Sequence, residues 1–194
     1  SFARAPMISD PVNLFDGAPD ADGAAAVVLT AAERAADMVP QPVRITASAA
    51  ATDNLALHDR PDLLTLRAAR QSADRAYAQA QLGPEHISLF ELHDEYTVLA
   101  ALSLEAAGFA ERGQGWKLAQ TGAVSLQGQI PVSTFGGLKA RGNPAGATGV
   151  YQAVEACLQL RGQAGDNQVA GARTALLQNL GGLGATAITH ILQT

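Results

Sequence analysis

The chain predicts an α/β fold, with helices layered on a mixed sheet. Three observations carry that prediction. Short apolar runs with β-branched residues recur between turn signals. Between two of them, apolar residues from Leu63 to Ala80 keep the three-to-four spacing of one helix face. At the C-terminal end, two further runs flank a glycine-rich turn. Strands that alternate with helices and finish in a hairpin make α/β layers.

Residues 1–21, broken by Pro6, Pro11 and Pro19, read as an extended lead-in. Ala24 to Leu29 form a short apolar run, β-branched at its centre, and are expected as a buried strand followed by a helix from about Ala31. Pro40 and Pro42 end that unit. Val43 and Ile45 alternate against Arg44 and Thr46, which predicts a second strand in VRITASAAA. The stretch from Asp62 to Leu82 is the clearest helix. Its expected buried face is Leu63, Leu66, Ala69, Ala73, Ala76, Tyr77 and Ala80, with Pro61-Asp62 at its start and Gly83-Pro84 at its stop. HISLFELHD is a third strand, with Ile87, Leu89 and Leu92 apolar. EYTVLAALSLEAAGF is a helix closed by Gly108. Residues 110–142 read as irregular, at a length typical of functional or covering loops. A helix is expected from Pro144 through AGATGVYQAVEACLQLRG. Leu176 and Leu177 open the first hairpin strand, and Ala187, Ile188, His190, Ile191 and Leu192 mark the second.

A chain of 194 residues is one domain by default and has room for a sizeable core. It is 47% hydrophobic and only 16% charged, so either much of it is buried or partners cover some faces. A net charge of −5 argues against a nucleic-acid-binding module, which would carry a clustered basic face. Its apolar runs fall short of a membrane span, so no membrane partner is expected. The single cysteine, Cys157, excludes an internal disulfide and a cysteine-based zinc cluster, and a cytoplasmic setting is expected. Cys157 is spaced from Val150, Val154 and Leu158 as a core residue would be, and reads as an inert structural thiol. His58, His86 and His190 have no partners at metal-ligand spacing, so no metal site is expected.

Three polar or glycine-rich stations lie where strands end or helices begin, the usual place for sites in open α/β sheets. The first is LHDEYT. Asp94 is expected to cap the following helix, with Glu95 in its first turn. His93 can bind a carbonyl oxygen or move a proton, and for His93 and Tyr96 structural and chemical roles stand level. The second is GGLKARGNPAGATG. Asn143 suits an N-cap and Pro144 the first helical position, while Ala145, Gly146, Ala147 and Gly149 allow a backbone or ligand to come close. The third is QNLGGLGAT, in which Gly181, Gly182 and Gly184 suit a tight turn or a turn that offers N–H groups to an oxyanion.

DGAAAVVL, HDEYT, GGLKARGNPAGATGVYQ and QNLGGLGATAITHIL, in this order, resemble the C-terminal half of the thiolase superfamily. The likeness is strongest to the sterol-carrier-protein type and its archaeal and bacterial relatives. The resemblance implies a thiolase-like layered fold: one βαβαβαββ half, preceded by the last strand and helix of the other half. Residues 1–42 would then be the end of the N-terminal half with a linker, and residues 43–194 the C-terminal domain. It implies acyl transfer between coenzyme A thioesters, of the acetyl-CoA acetyltransferase type. The acyl-CoA is the substrate, and no covalently bound cofactor is expected. The nucleophilic cysteine of the family lies outside this chain, and Cys157 does not match it. Carried over, His93 takes the place of the family residue that positions a water. Asn143 replaces the histidine of the Gly-His-Pro motif. Asn179 stands where many members have a cysteine, and Gly181 is the oxyanion glycine. An asparagine donates a hydrogen bond but does not shuttle protons near neutral pH. Glu95 and Tyr96 are therefore the candidates for proton transfer. The same resemblance admits a thiolase-like aldolase that cleaves β-hydroxyacyl-CoA with Tyr96, or a non-catalytic acyl-CoA-binding scaffold. It also makes room for a small zinc-ribbon/OB-fold partner protein of the kind found beside relatives of this branch, and the face that would pack on the missing half predicts a homo-oligomer.

Overall fold

The computed structural model describes residues 4–194. A small N-terminal ladder pairs β1 (Met7–Ser9) with β2 (Val12–Asn13). After a coil comes α1 (Ala32–Met38). The main body then runs β3 (Arg44–Thr52), α2 (Arg67–Ala80), β4 (Leu89–Glu91), α3 (Thr97–Ala106), α4 (Gly115–Gln120), α5 (Gly137–Arg141), α6 (Thr148–Leu160), β5 (Thr174–Gly181) and β6 (Thr186–Gln193).

The main sheet has the order β3-β6-β5-β4. β5 lies parallel to β4 and antiparallel to β6, which is antiparallel to β3. This is the mixed sheet of the expected half, with one reduction. The strand that the βαβαβαββ order places between α3 and α6 is reduced to a bridge at Val132, which pairs with Phe90 in parallel. Phe90 N–H donates to Pro131 O at 2.9 Å, and Ser133 N–H to Phe90 O at 3.0 Å. The region read as irregular thus holds two short helices and this bridge.

Strand periodicity sends alternate residues to opposite faces. Phe90, Leu92, Leu176 and Ile191 join Ala73, Ala76 and Tyr77 of α2 and Leu104 of α3 in one cluster. Leu89, Ala175, Leu177 and Leu192 join Ala156 and Leu160 of α6 in another. The sheet is therefore covered on both faces. The α2 side chains at Ala68, Ala69, Ala73 and Ala76 are fully buried, so the helix sits close on the sheet. The outer edge of β3 is closed by the same helix. Ser48 N–H donates to Gln79 Oε1 at 2.7 Å, and Arg75 Nη1 to Ala50 O at 2.7 Å. These bonds use groups that an exposed edge would offer to another strand.

Several expectations need correction. Ala24 to Leu29 form no strand: they pair with no neighbour, with Val28 87% and Leu29 74% exposed. A strand needs an adjacent edge, and the main sheet ends at β3 and β4. The helix expected from Asp62 begins at Arg67. Asp62 instead accepts from Leu64 N–H at 3.0 Å and Thr65 Oγ1 at 2.6 Å, closing a local turn and leaving Leu63 exposed. In β3 the register shifts between Ile45 and Ala47, so Ile45 faces solvent while Ala47 is buried. Leu92 is buried as expected but lies one residue beyond β4. The helix expected from Pro144 opens as a 3₁₀ turn at Ala145–Ala147 and becomes α-helical at Thr148. On α6, Val150, Val154, Cys157 and Leu158 are only half-buried. No helix among the described residues is long and apolar enough to cross a membrane.

Candidate active site

The parallel ladder of β4 and β5 ends at Glu91 and Leu177, and just past that rung each chain carries a polar residue on the α6 face, His93 beyond β4 and Asn179 still within β5. On β4 that face is Leu89, Glu91 and then His93; on β5 it is Ala175, Leu177 and then Asn179. His93 Nδ1 lies 3.2 Å from Asn179 Nδ2. On the other side of the ring, His93 Nε2 lies 3.6 Å from Glu95 Oε2. The second Glu95 oxygen accepts from Asn143 Nδ2 at 3.3 Å. One carboxylate therefore joins the His93 and Asn143 stations, 50 residues apart in sequence. His93 is buried, and burial pushes its imidazole below the usual histidine range, with Glu95 pulling the other way. Glu95 is a third exposed, so this end of the site opens to solvent.

Asn143 is held at its own oxygen as well. Its Oδ1 accepts from Ala145 N–H at 3.0 Å and from Thr148 Oγ1 at 3.4 Å. Asn143 is thus not the expected N-cap: the caps of the 3₁₀ turn and of α6 fall at Pro144 and Ala147 without side-chain bonds, while Asn143 closes the turn ahead of them and contacts Glu95. The first turn of α6 lies against Asn179: a Cβ at Gly149 would stand 3.6 Å from Asn179 Cγ, an ordinary van der Waals contact.

Asp94 does not cap the following helix. Its carboxylate accepts from Leu138 N–H at 2.8 Å and Lys139 N–H at 3.4 Å, so it caps α5, and α3 starts at Thr97 without a side-chain cap. Glu95, expected in the first turn of α3, lies before it and reaches across to His93 and Asn143. Gly137 makes the α5 cap possible. It has φ +62°, and a Cβ there would lie 2.5 Å from both Asp94 oxygens.

The lead-in also takes part. Ala18 N–H donates to Glu95 O at 2.7 Å, and Asn143 N–H donates to Pro19 O at 2.7 Å. Residues 17–21 therefore bridge the backbones of the two stations. Lys139 Nζ fastens the arm by donating to Asp16 O at 2.6 Å and Phe15 O at 3.1 Å. Tyr96 lies in this region and not in the hydrogen-bonded group. It is exposed, and its ring lies 3.5 Å from where a Gly17 Cβ would stand. Gly181 shares a strand face with Asn179, is exposed, and pairs with Thr186 at the hairpin end. The turn beyond it is held from outside by Arg60, which donates to Leu183 O at 2.9 Å and Gly182 O at 3.3 Å.

The sequence reading missed the floor of the site. Thr148, Gln152, Glu155 and Gln159 of α6 are all buried, at a spacing that puts them on one helix face toward the sheet. Gln159 Nε2 donates to Asn167 O at 2.6 Å and Thr134 Oγ1 at 2.7 Å. Glu155 pairs with Arg141 Nη1 at 2.7 Å. Glu91, fully buried, faces Glu155, and burial followed by the Glu155 charge pushes its carboxyl well above the usual range. The signal was present as a polar stripe at helical spacing, which a search for apolar stripes passes over.

The family model described as thiolase C-terminal domain-like matches residues 49–194. An acetyl-CoA acetyltransferase of Methanothermobacter thermautotrophicus is 45% identical over 185 residues, covering 95% of this chain and 48% of that protein. Sterol carrier protein 2 of Bos taurus is 35% identical over 187 residues, covering 94% of this chain and 34% of that protein. The chain thus spans half or less of the length of these relatives. The solved Ltp2-ChsH2(DUF35) aldolase superposes with a TM-score of 0.87 over the whole chain and 50% of its own, at 22% identity, a likeness of fold. Together with the mixed sheet and the strand-end polar residues, these matches place the chain in the thiolase C-terminal domain-like family, of the sterol-carrier-protein type.

Proposed function

We propose that this chain is the C-terminal domain of a thiolase-like acyl-CoA enzyme of the acetyl-CoA acetyltransferase type, with Glu95 as its proton-transfer group. The observation that carries the reading is the convergence of His93 Nε2 and Asn143 Nδ2 on one carboxylate at the end of β4. Condensation or cleavage next to a thioester needs a base for the α-proton and donors for the oxygen that gains charge. Glu95 supplies the first and the two flanking side chains the second. Asn179 orients His93, and Gly181 lies one strand step further along the same face. The nucleophilic cysteine belongs to the part of the enzyme outside this chain. On this reading residues 1–42 end the N-terminal half, which would cover the exposed Val28 and Leu29.

A second reading, a thiolase-like aldolase acting on a β-hydroxyacyl-CoA, is favoured by one observation. The only cysteine in the chain, Cys157, packs beside the Leu89–Ala156 cluster. No thiol of this chain joins the His93–Glu95 group. The aldolase would use the same oxygen donors.

The test is exchange of the α-protons of acetyl-CoA for deuterium, followed by mass spectrometry with the full-length protein. Glu95→Gln keeps the shape but not the base, and exchange should fall by about 10²–10⁴-fold. Exchange at the wild-type rate in a folded Glu95→Gln protein would refute the role of Glu95. Parallel assays of acetoacetyl-CoA thiolysis and β-hydroxyacyl-CoA cleavage separate the two readings.

A further inference from the structure

β4 and β5 part company just before the site. Their ladder ends at Glu91 opposite Leu177, which leaves the carbonyls of Glu91 and Gln178 beyond its last rung. Gln152, buried at 1% exposure on α6, stands between these two oxygens. Its Nε2 donates to Gln178 O at 3.2 Å and Glu91 O at 3.3 Å. An amide nitrogen has two hydrogens, and both are used. The orientation of the Gln152 amide is thereby fixed by backbone, since turning it over would set its oxygen against two carbonyl oxygens.

That orientation points Gln152 Oε1 at Asn179 Nδ2, 3.5 Å away. An oxygen there can only accept, so Asn179 must present its nitrogen. The same nitrogen lies 3.2 Å from His93 Nδ1. Since an amide nitrogen only donates, Nδ1 must carry its lone pair toward it. The one proton of a neutral imidazole is then on Nε2, the nitrogen that faces Glu95.

We infer that Gln152 is a positioning residue: by fixing the Asn179 amide it sets His93 as the Nε2–H tautomer. A helix residue with no hydrogen bond to His93 or Glu95 thus decides which histidine nitrogen can donate into the site. His93 acts there as a donor to oxygen and not as a base. This deepens the proposed function by assigning His93 its role, and its test is a spectrum, independent of turnover, so the two readings fail separately.

The test is two-dimensional NMR of histidine-¹⁵N-labelled full-length protein, with His93 assigned from the signals lost in His93→Asn. The wild type should show a pyrrole-type Nε2 and a pyridine-type Nδ1. Gln152→Met removes both ends of the Gln152 amide at similar length. In that variant the two His93 nitrogens should move toward each other in shift, as the tautomers mix. A pyridine-type Nε2 in the wild type would overturn the inference. So would an unchanged His93 spectrum in a folded Gln152→Met protein. If that variant does not fold, Asn179→Asp replaces the donor with an acceptor and should bring a proton onto Nδ1; no change at Nδ1 would equally overturn it.

Discussion

The cap that Asp94 places on α5 sets up a stability test whose size follows from the structure. Asp94 is buried at 8% exposure and accepts from Leu138 N–H at 2.8 Å and Lys139 N–H at 3.4 Å. Asp94→Ala removes the cap, worth about 1 kcal/mol, and leaves the N–H of the fully buried Leu138 unpaired at a further cost of about 1–2 kcal/mol. A total of about 2–3 kcal/mol lowers Tm by about 5–10 °C for a chain of this size. The geometry of Gly137 adds a second measurement. With φ +62° and a Cβ position 2.5 Å from both Asp94 oxygens, Gly137→Ala strains the backbone and pushes the carboxylate off the helix end. Once Asp94 is alanine, only the backbone strain remains. The two substitutions should therefore cost less together than their sum, by about 1–2 kcal/mol in a double-mutant cycle. Thermal and urea unfolding followed by circular dichroism provide all four values. A Tm for Asp94→Ala within about 1 °C of wild type, or strict additivity in the cycle, would refute the cap.

Two further outcomes follow from buried charges. Burial and Glu155 raise the Glu91 carboxyl above its unfolded value, so the native state keeps a proton that the unfolded chain gives up. Stability from this group is complete below the usual carboxylate range and is lost as pH rises toward the native pKa, at about 1.4 kcal/mol per pH unit across that window. Glu91→Gln should remove this slope, so its stability relative to wild type grows as pH rises from about 5; parallel urea curves at every pH would count against it. Lys139→Met cuts the tie to Phe15 O and Asp16 O. Amide exchange at Ala18 and Asn143 should then quicken by about tenfold, the worth of one charge-assisted hydrogen bond, and unchanged protection of both would show that Lys139 does not hold the arm.

What could be read from the sequence was what local pattern determines. The hairpin Thr174–Gln193 announced itself by two apolar runs about a glycine turn, and α2 by alanines at helical spacing. What could not be read depended on groups far apart in the chain. Asp94 followed the local rule for a cap before a helix, but its oxygens are taken 44 residues later, where Gly137 leaves room for them. Ala24 to Leu29 have the composition of a strand, yet composition alone supplies no edge to pair with. On α6 the usual inference from periodicity ran the wrong way. Its apolar Val150, Val154 and Leu158 are half-buried, while Thr148, Gln152, Glu155 and Gln159 turn inward. The reason lies in the backbone carbonyls and loop ends beneath that helix, which need hydrogen-bond partners that apolar side chains do not offer.

Long-range contact also sets the centre of the candidate site, which is Glu95 and not Asn143. The resemblance assigned His93 to positioning a water and Asn143 to the thioester oxygen, as separate groups. In the structure both turn toward one carboxylate, and on the proposed reading a substrate oxygen would compete with Glu95 for the same N–H groups. A thioester oxygen that takes those donors frees the Glu95 carboxylate on this reading, and its partial exposure leaves it room to swing toward an α-proton. An Asn at position 143 suits this exchange better than a histidine. It presents a donor to either oxygen without taking up a proton of its own, so the proton taken from the substrate goes to the carboxylate.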